Sequence, residues 1–280
     1  MRELCEFRVN EEFAGLLFGP DEGVVLGGWI RKVVLSTADP RFARVGELQA
    51  ELTASLDRCF FYGWHIRRHY SRSELAAAEL FLLRVNRAFE PTGEECGTEY
   101  DDTDACPYCG AGGIQRSNLR LDLGRIPKRA DIARTIADEV VISRRVAEIL
   151  AHTEQTARLL APIRSRNGDQ TSSDRLQLLA PPPSLNVLPP TRAAGSLFDD
   201  PSADDYKCPV GHLLGLNLLS ELSVERASYT GDDIVTPRQF VGVRRGLLRP
   251  TRPICISQNV RRALEANRAR GFTLEVVHFV

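Results

Sequence analysis

A short pattern of residues occurs twice in this chain and constrains its fold more than any other feature. Residues 141–146 (Val-Ile-Ser-Arg-Arg-Val) return 114 positions later as residues 255–260 (Cys-Ile-Ser-Gln-Asn-Val), and Leu150 corresponds in the same way to Leu264. In each copy the apolar residues are typical of a buried strand, the serine of a helix N-cap, and the Val–Leu spacing of one helical face. Each copy therefore predicts a strand followed by a serine-capped helix.

A further apolar strand is expected after each of these helices, over 159–163 and over 272–280. A duplicated strand–helix–strand unit packs helices against sheets, so the predicted fold class is α/β or α+β, with a mixed sheet and packed helices. Hydrophobic periodicity elsewhere predicts strands near the N-terminus and over 59–70. It also predicts helices over 42–56, from Ser73 through Leu83 to a point before Pro91, and over 129–137.

The stretch 164–206 differs in composition from the rest of the chain. It contains Pro181–Pro183, Pro189-Pro190 and Pro201, and it ends in an acidic cluster, Asp199, Asp200, Asp204 and Asp205. Proline cannot donate backbone hydrogen bonds inside a sheet, so we interpret this stretch as an extended connector with one short strand near 175–179. The predicted organisation is an N-terminal part, 1–163, with a cysteine-containing loop at 92–113; the connector, 164–206; and a C-terminal strand–helix–strand part, 207–280.

Three cysteines lie in the loop at 92–113. Cys106 and Cys109, in Cys-Pro-Tyr-Cys-Gly, have the spacing of a zinc knuckle, in which two thiolates bind one ion and the glycine allows the backbone to turn. Cys96-Gly97 repeats the second half of that motif, with Gly93 where another cysteine would stand. Structural zinc has four ligands, so a fourth group must complete the three thiolates.

Cys208 is the leading candidate for the fourth ligand, and His212 is the alternative. The predicted site is therefore a structural Zn²⁺ ion bound by Cys96, Cys106, Cys109 and Cys208. A loop without metal and a redox-active thiol pair remain open alternatives. Weaker candidates for the fourth ligand are His65, His69, Asp101, Asp102 and Asp104. The remaining cysteines, Cys5, Cys59 and Cys255, stand in apolar strand patterns typical of buried thiols.

The charge balance bears on the class of partner. The chain has 36 Lys and Arg residues against 37 Asp and Glu residues, so it has no global field that would attract nucleic acid or an anionic membrane. No apolar run approaches the roughly 20 residues that span a bilayer, and the acidic N-terminus does not resemble a signal peptide. We therefore expect a cytoplasmic protein that binds neither membrane nor, on balance, nucleic acid.

Two alternatives to a protein-binding function stay open at this stage. The basic run Arg67–Arg72 lies beside aromatic residues and could serve a zinc-knuckle nucleic-acid-binding module. An enzyme with a dispersed active site is the other, although the sequence has no Gly-x-Ser-x-Gly, Walker-type or Gly-x-Gly-x-x-Gly motif. No catalytic residue is predicted.

The cysteine loop also carries a family resemblance. Residues 89–91 (Phe-Glu-Pro), 95–101 (Glu-Cys-Gly-Thr-Glu-Tyr-Asp) and 105–110 (Ala-Cys-Pro-Tyr-Cys-Gly) resemble the double-CxxCG proteins common in myxobacteria. The repeated Ile-Ser-x-x-Val-x-x-x-Leu units are similar to the same group and to immunity proteins of polymorphic toxin systems. The resemblance implies a non-enzymatic cytoplasmic protein that binds and neutralises a cognate toxin.

Overall fold

The computed structural model describes residues 1–168, 170–199, 208–212, 215–242 and 244–280. These residues form two compact units, Met1–Ala77 and Ala78–Val280, and each unit is described by itself. Both contain helices and strands, and the second contains parallel as well as antiparallel strand pairs. The predicted α+β class with mixed sheets is confirmed.

The first unit is an antiparallel four-stranded sheet with helices along its chain. The strand order is β2-β3-β1-β4, so β2 and β4 are the edges. Cross-strand neighbours such as Phe7 and Val33 are buried on the same face because residues directly opposite each other point to the same side of a sheet. The elements are β1 (Arg2–Asn10), α1 (Glu11–Ala14), β2 (Val24–Leu26), β3 (Ile30–Ser36), α2 (Arg41–Leu56), β4 (Phe61–His69) and α3 (Arg72–Ala77).

Helix α2 packs against the buried face of this sheet. Val45, Leu48 and Leu52 are buried, as the helical spacing predicted. Contact with the sheet is shown by the rings of Phe42 and Phe7, whose centroids are 6.0 Å apart. The predicted strand over 59–70 corresponds to β4, so the sequence patterns located the main elements of this unit.

The predicted helix that begins at Ser73 is wrong in its second half. Helix α3 ends at Ala77, and the apolar residues that follow form strand β5 (Leu80–Val85). The helix start is stabilised from Ser71, whose hydroxyl accepts a hydrogen bond from the Glu74 amide while the Glu74 carboxylate accepts one from the Ser71 amide. Leu80, Phe81 and Leu82 are consecutive buried residues. A strand buried on both faces produces such a continuous apolar run, which periodicity alone does not separate from a helix.

A six-stranded sheet contains the first copy of the repeated unit. Its strand order is β6-β10-β11-β13-β12-β9. The helix predicted over 129–137 is wrong, since residues 132–135 form a strand that pairs with β11 on one side and with β6 on the other. The strands and helices from Ala88 to Leu178, within and beside this sheet, are β6 (Ala88–Phe89), β7 (Tyr100–Asp101), β8 (Ile114–Gln115), β9 (Arg120–Leu121), β10 (Ile132–Thr135), β11 (Val140–Ser143), α4 (Arg144–Leu150), α5 (Glu154–Ala157), β12 (Leu160–Ser165) and β13 (Thr171–Leu178).

A five-stranded sheet contains the second copy. Its strand order is β16-β19-β5-β18-β17, which matches β9-β12-β13-β11-β10 strand for strand. The pairing directions also match, because β16–β19 and β9–β12 are parallel while the other equivalent pairs are antiparallel. The strands and helix from Ala193 to Phe279, within and beside this sheet, are β14 (Ala193–Ala194), β15 (Asn217–Leu218), β16 (Leu222–Val224), β17 (Ile234–Val235), β18 (Cys255–Ser257), α6 (Gln258–Ala266) and β19 (Phe272–Phe279).

The serine caps confirm the predicted repeat. The Ser143 hydroxyl accepts a hydrogen bond from the Val146 amide at 3.3 Å, and the Ser257 hydroxyl accepts one from the Val260 amide at 3.2 Å. Each hydroxyl also donates to an aspartate one strand away, Asp131 in the first copy and Asp233 in the second. The sequence comparison missed these aspartates because they lie 102 positions apart, whereas the serines lie 114 apart. The second copy thus has twelve more residues between its aspartate and its serine.

The central strands of the two sheets come from different places in the sequence. In the first copy β13 follows β12 through a short turn, whereas in the second copy the equivalent strand is β5, which precedes both copies. One sheet therefore combines β5, from the predicted N-terminal part, with β16, β17, β18 and β19, from the predicted C-terminal part, and the observed division after Ala77 differs from the predicted one at 164–206. Part of that predicted connector is core, since Leu185 and Val187 are buried against β5 and β16 residues. Of its acidic cluster only Asp199 lies within the described residues.

Candidate metal centre

Four side chains of the second unit converge on one point. They are Cys106, Cys109, Cys208 and His212, and their ligand atoms, three Sγ atoms and one imidazole nitrogen, all lie within 4.8 Å of one another. The three thiols are buried, and His212 is partly buried. Ala111 and Phe240 pack beside the thiols. The arrangement could hold a metal ion, and it is closed to solvent on most sides.

The first pair of ligands lies on a tight turn between β7 and β8. The Cys106 amide donates to the Ala111 carbonyl at 2.7 Å, and the Gly110 amide donates to the Cys106 carbonyl at 2.8 Å. Gly110 has a φ of +73°, and a Cβ there would lie 2.4 Å from the Arg244 Cβ. Glycine is therefore needed at this position for both conformation and space.

The second pair of ligands lies on an equivalent turn in the second copy. Cys208-Pro209 stands 102 positions after Cys106-Pro107, the same displacement that separates Asp131 from Asp233. The Gly211 amide donates to the Cys208 carbonyl at 2.8 Å. At this displacement Gly211 corresponds to Cys109 and His212 to Gly110, so the second turn replaces the second thiol with an imidazole one residue later. The repeated Cys-Pro pair was the sequence signal that could have linked the two turns.

The distances and burial fit a zinc ion. Two sulfur atoms bound tetrahedrally at about 2.3 Å from zinc would lie about 3.8 Å apart, and the Sγ atoms of Cys106 and Cys208 are 3.7 Å apart. Nδ1 of His212 is buried and has no hydrogen-bond partner among the described residues. A buried polar atom without a partner is costly, and a bound ion would remove or offset that cost. Three thiolates with one imidazole are a common ligand set of structural zinc.

The two thiols of the first turn have different proton affinities. The pKa of Cys106 is lowered to about 6, chiefly because the Cys109 amide donates a hydrogen bond to its sulfur, although burial acts in the opposite direction. Burial raises the pKa of Cys109 to about 12. Since thiolates bind metals and thiols do not, binding an ion would require these groups to lose their protons, and burial opposes that loss at Cys109.

Cys96 is not brought into this cluster. Its thiol is buried at the end of a 3-10 turn, Glu94–Cys96, where it accepts a hydrogen bond from the Asp122 amide. The structure therefore assembles three of the four predicted ligands and adds His212, the predicted alternative. Of the weaker candidates, His65 and His69 belong to the first unit, and Asp101 and Asp102 pair with arginines.

The twelve additional residues of the second copy fall in the segment 236–254, which contacts the metal centre. The Phe240 amide donates to the His212 carbonyl at 2.7 Å, and the Arg244 amide donates to the Cys109 carbonyl at 3.2 Å. One segment thus contacts a ligand residue from each turn. The segment is therefore placed to stabilise the loop around the centre.

Arg249 anchors this segment through charge. Its guanidinium forms ion pairs with Glu94 at 2.6 Å and with Asp102 at 3.1 Å, and it lies 4.0 Å above the centre of the Tyr100 ring. The Arg249 side chain is only 12% exposed. Burial would raise the pKa of Asp102, but hydrogen bonds from Arg249 and Arg244 lower it overall.

The other basic run, Arg67–Arg72, belongs to the first unit and is partly neutralised. Arg67 pairs with Glu6 at 2.6 Å, and Arg68 pairs with Glu3 at 2.8 Å, both across the β1–β4 ladder. These pairs lower the positive charge that a phosphate backbone would meet. In the part of the chain that the structure describes, no helix has the length and apolar character needed to cross a membrane.

A scan of protein-family models and a search of curated proteins find no match to this chain. The double-CxxCG resemblance therefore stays a prediction, as do the immunity function and the cytoplasmic location.

Proposed function

We propose that this chain is a zinc-stabilised, non-enzymatic protein that acts by binding another protein, and that the partner is a bacterial toxin which it neutralises. The observation that carries the proposal is the closed set of four ligands, Cys106, Cys109, Cys208 and His212. Structural zinc sites have four protein ligands, whereas catalytic sites keep one position for water or substrate. The role of the ion is thus to hold parts of the fold together.

The position of the ligands supports this structural role. Each copy of the repeated unit supplies two ligands from equivalent turns, so one ion would join two turns 102 residues apart in sequence. Burial of the three thiols keeps solvent from the ion. The part of the proposal that concerns a toxin is supported by the resemblance of the cysteine loop and the Ile-Ser units to immunity proteins.

Metal analysis tests the structural half of the proposal. We expect purified protein to contain about one zinc ion per chain, and the Cys106→Ser variant to contain almost none. Cys96→Ser is the matched control because it removes a buried cysteine outside the cluster, and it should retain zinc. Wild-type protein that binds no zinc, or a Cys106→Ser variant that binds as much as the wild type, would reject the site.

A protection assay tests the partner. The candidate toxin is the product of the gene next to the one that encodes this chain. We expect cells that produce this candidate alone to stop growing, cells that also produce this chain to survive, and the two proteins to copurify. Equal growth with and without this chain would reject the immunity function.

A further inference from the structure

The four-stranded sheet of the first unit has one covered face and one open face. Successive side chains of a strand point to opposite faces, so Phe7 of β1 lies on the face that α2 covers, whereas Leu4, Glu6 and Arg8 lie on the other. Phe7 is fully buried, but Arg8 is exposed, and Val34 of β3, on the same side as Arg8, is 47% exposed. The second face is therefore accessible to solvent.

Two cations stand directly opposite each other in the middle of the open face. Arg8 of β1 is the cross-strand partner of Lys32 of β3, and these two strands are the central ones of the sheet. Like charges in directly opposite positions destabilise a sheet. Neither side chain has an ion pair or hydrogen bond among the described residues that would offset this repulsion.

The neighbouring strands leave this pair of cations accessible. On its other side Arg8 stands opposite Gly63 of β4, and a Cβ at Gly63 would meet no atom within 4 Å. On its other side Lys32 stands opposite Val24 of β2, which is 55% exposed. A ligand group can therefore approach both cations from solvent.

Two further cations lie on the same face. Arg67 of β4 stands opposite Leu4, and Arg2, in the same strand and on the same side as Leu4, stands opposite His69. Glu6 is the acidic residue of this face, and its carboxylate pairs with Arg67 at 2.6 Å. The charges of Arg8, Lys32 and Arg2 are left uncompensated by this one ion pair.

Charge is thus distributed unequally over the first unit. The strand residues of the open face, all of which are described, carry four Lys or Arg side chains and one carboxylate, whereas residues 1–77 as a whole have ten Lys and Arg against eleven Asp and Glu. The remaining residues of the unit are consequently net acidic. A basic patch in a neutral unit selects for partners whose contacting surface is negative.

Aliphatic side chains lie among these cations. The strand register places Val24, Leu26 and Val34 on the open face, and they are 55%, 42% and 47% exposed. A ligand that carries only charge would leave these groups in water. An amphipathic segment with both carboxylates and apolar side chains would cover them and pair with the cations.

The composition of the face favours a protein over a single-stranded nucleic acid. Bases bind by stacking on aromatic rings, and none of the described side chains on the open side of β1 and β3 is aromatic. Glu6, at the centre of the face, would also repel a phosphate chain. Carboxylates of a peptide can instead be spaced so that they meet the cations and avoid Glu6.

We propose that the open face of this sheet binds an acidic, amphipathic segment of a protein partner, with carboxylates on Arg8 and Lys32 and apolar side chains on Val24 and Val34. A carboxylate between the two cations removes the repulsion that the free protein bears. The proposal rests on the proposed protein-binding function, to which it gives a surface and a partner chemistry. It concerns the first unit, whereas the zinc ligands belong to the second.

Selection from a displayed library of linear peptides against the full-length protein tests the face. The most enriched peptide is synthesised with a fluorescent label, and its affinity is measured by anisotropy. We expect the enriched peptides to contain more Asp and Glu than the starting library. We also expect affinity to fall about tenfold between about 50 mM and about 500 mM NaCl, because salt screens exposed charges.

Neutral substitutions locate the binding site. Arg8→Gln and Lys32→Gln each remove one cation from the face, and each should weaken binding about fivefold. Arg44→Gln is the matched control because it removes one exposed cation from α2, which packs on the opposite face of the sheet, and it should bind as the wild type does.

Lys32→Glu separates binding from folding. A glutamate at this position stands opposite Arg8 and replaces a repulsion by an attraction, so the melting temperature should not fall while the affinity falls about tenfold or more. A variant that melts well below the wild type would contradict the opposition of like charges from which the site is inferred.

Absence of enriched peptides, enriched peptides no more acidic than the library, or unchanged affinity in Lys32→Glu would overturn the inference. Binding of a labelled single-stranded oligonucleotide or of phosphatidylserine vesicles that is lost in Lys32→Glu would overturn it too, by assigning the face to nucleic acid or lipid. If the neighbouring gene product copurifies equally well with Lys32→Glu, this inference fails while the proposed function stands. If acidic peptides bind at Arg8 and Lys32 and the protection assay fails, the immunity function fails while the surface stands.

Discussion

The six-stranded and five-stranded sheets of the second unit share the order and pairing directions of five strands, yet they obtain their central strands from opposite directions along the chain. In the first sheet β13 follows β12 directly, whereas in the second sheet β5 reaches its place from upstream of both copies. A sheet without its central strand leaves the backbone groups of both neighbours unpaired. The sheet of the second copy therefore cannot be completed by the residues of that copy alone, although its sequence repeats that of the first.

The two metal-binding turns differ in a parallel way. The first supplies two thiols and the second supplies one thiol and one imidazole; Cys208 corresponds to Cys106, whereas His212 stands one residue beyond the position that corresponds to Cys109. The second copy also carries the additional segment 236–254, which packs on both turns. The two copies therefore differ at the site that they share.

The largest expected effect comes from separating the second copy from β5. Fragment 181–280 contains every element of the second sheet except β5, so we expect it to show no cooperative thermal transition by circular dichroism. Residues 78–280, which contain the whole unit, should melt cooperatively and serve as the control.

A rearranged fragment sharpens this test. Val277 of β19 lies opposite Leu80 of β5 in an antiparallel pair, so the end of β19 is beside the start of β5. Joining residues 79–86 after Val280 through a short glycine-rich loop reproduces the connection of the first copy and should restore cooperative unfolding. A folded fragment 181–280 without this addition would contradict the inferred dependence on β5.

The second-largest effect on stability is expected from substituting the metal ligands. Cys109→Ser should lower the stability of the protein by about 4 kcal/mol or more, because loss of a bound metal is among the largest single-residue effects. In a unit of this size that corresponds to a fall in melting temperature of about 10 °C. His212→Ala should have a similar effect, whereas His212→Cys preserves four ligands and should retain zinc. Equal melting of zinc-containing wild type and a Cys109→Ser variant that has lost its zinc would show that the ion does not stabilise the fold.

The added segment of the second copy can be tested through Arg249. Arg249→Met keeps much of the apolar stem but removes the Arg249 ion pairs of Glu94 and Asp102, while Asp102 keeps its pair with Arg244, and we expect a loss of about 1–3 kcal/mol in urea unfolding. The pKa of Asp102 is lowered in the folded state, so this stabilisation is present above the unfolded carboxyl pKa and is lost as the pH falls through the folded one. The difference between variant and wild type should accordingly shrink in acid. A difference that grows as the pH falls would contradict this assignment.

The smallest expected effects come from the repeated caps. Ser143→Ala and Ser257→Ala should each cost about 1 kcal/mol, since each removes a helix cap. The cost should be greater for Ser257, which is buried and bonded to Asp233 at 2.5 Å, than for Ser143, which is partly exposed. Urea unfolding measures both, and a larger effect at Ser143 would show that the two caps are less alike than their geometry indicates.

Sequence patterns predicted the elements whose signals are local. Ser143 and Ser257 cap helices as expected, and Val45, Leu48 and Leu52 form the buried stripe of α2. Periodicity failed at β5 and β10, where it predicted helices and the structure has short strands. In β5 the apolar residues are consecutive rather than alternating, and the neighbours β18 and β19 lie far away in sequence.

The sequence by itself determined that two strand–helix–strand units exist, that the loop near Cys106 and Cys109 has metal-binding spacing, and that Cys208 or His212 was available to complete it. These conclusions depend on residues close together in the chain. Only the tertiary structure decided that Cys208 and His212 both belong to the site, that Cys96 does not, and that β5 completes the second sheet. The physical reason is that ligand geometry and strand pairing join residues more than a hundred positions apart, whereas local propensity depends only on residues that are near one another in sequence.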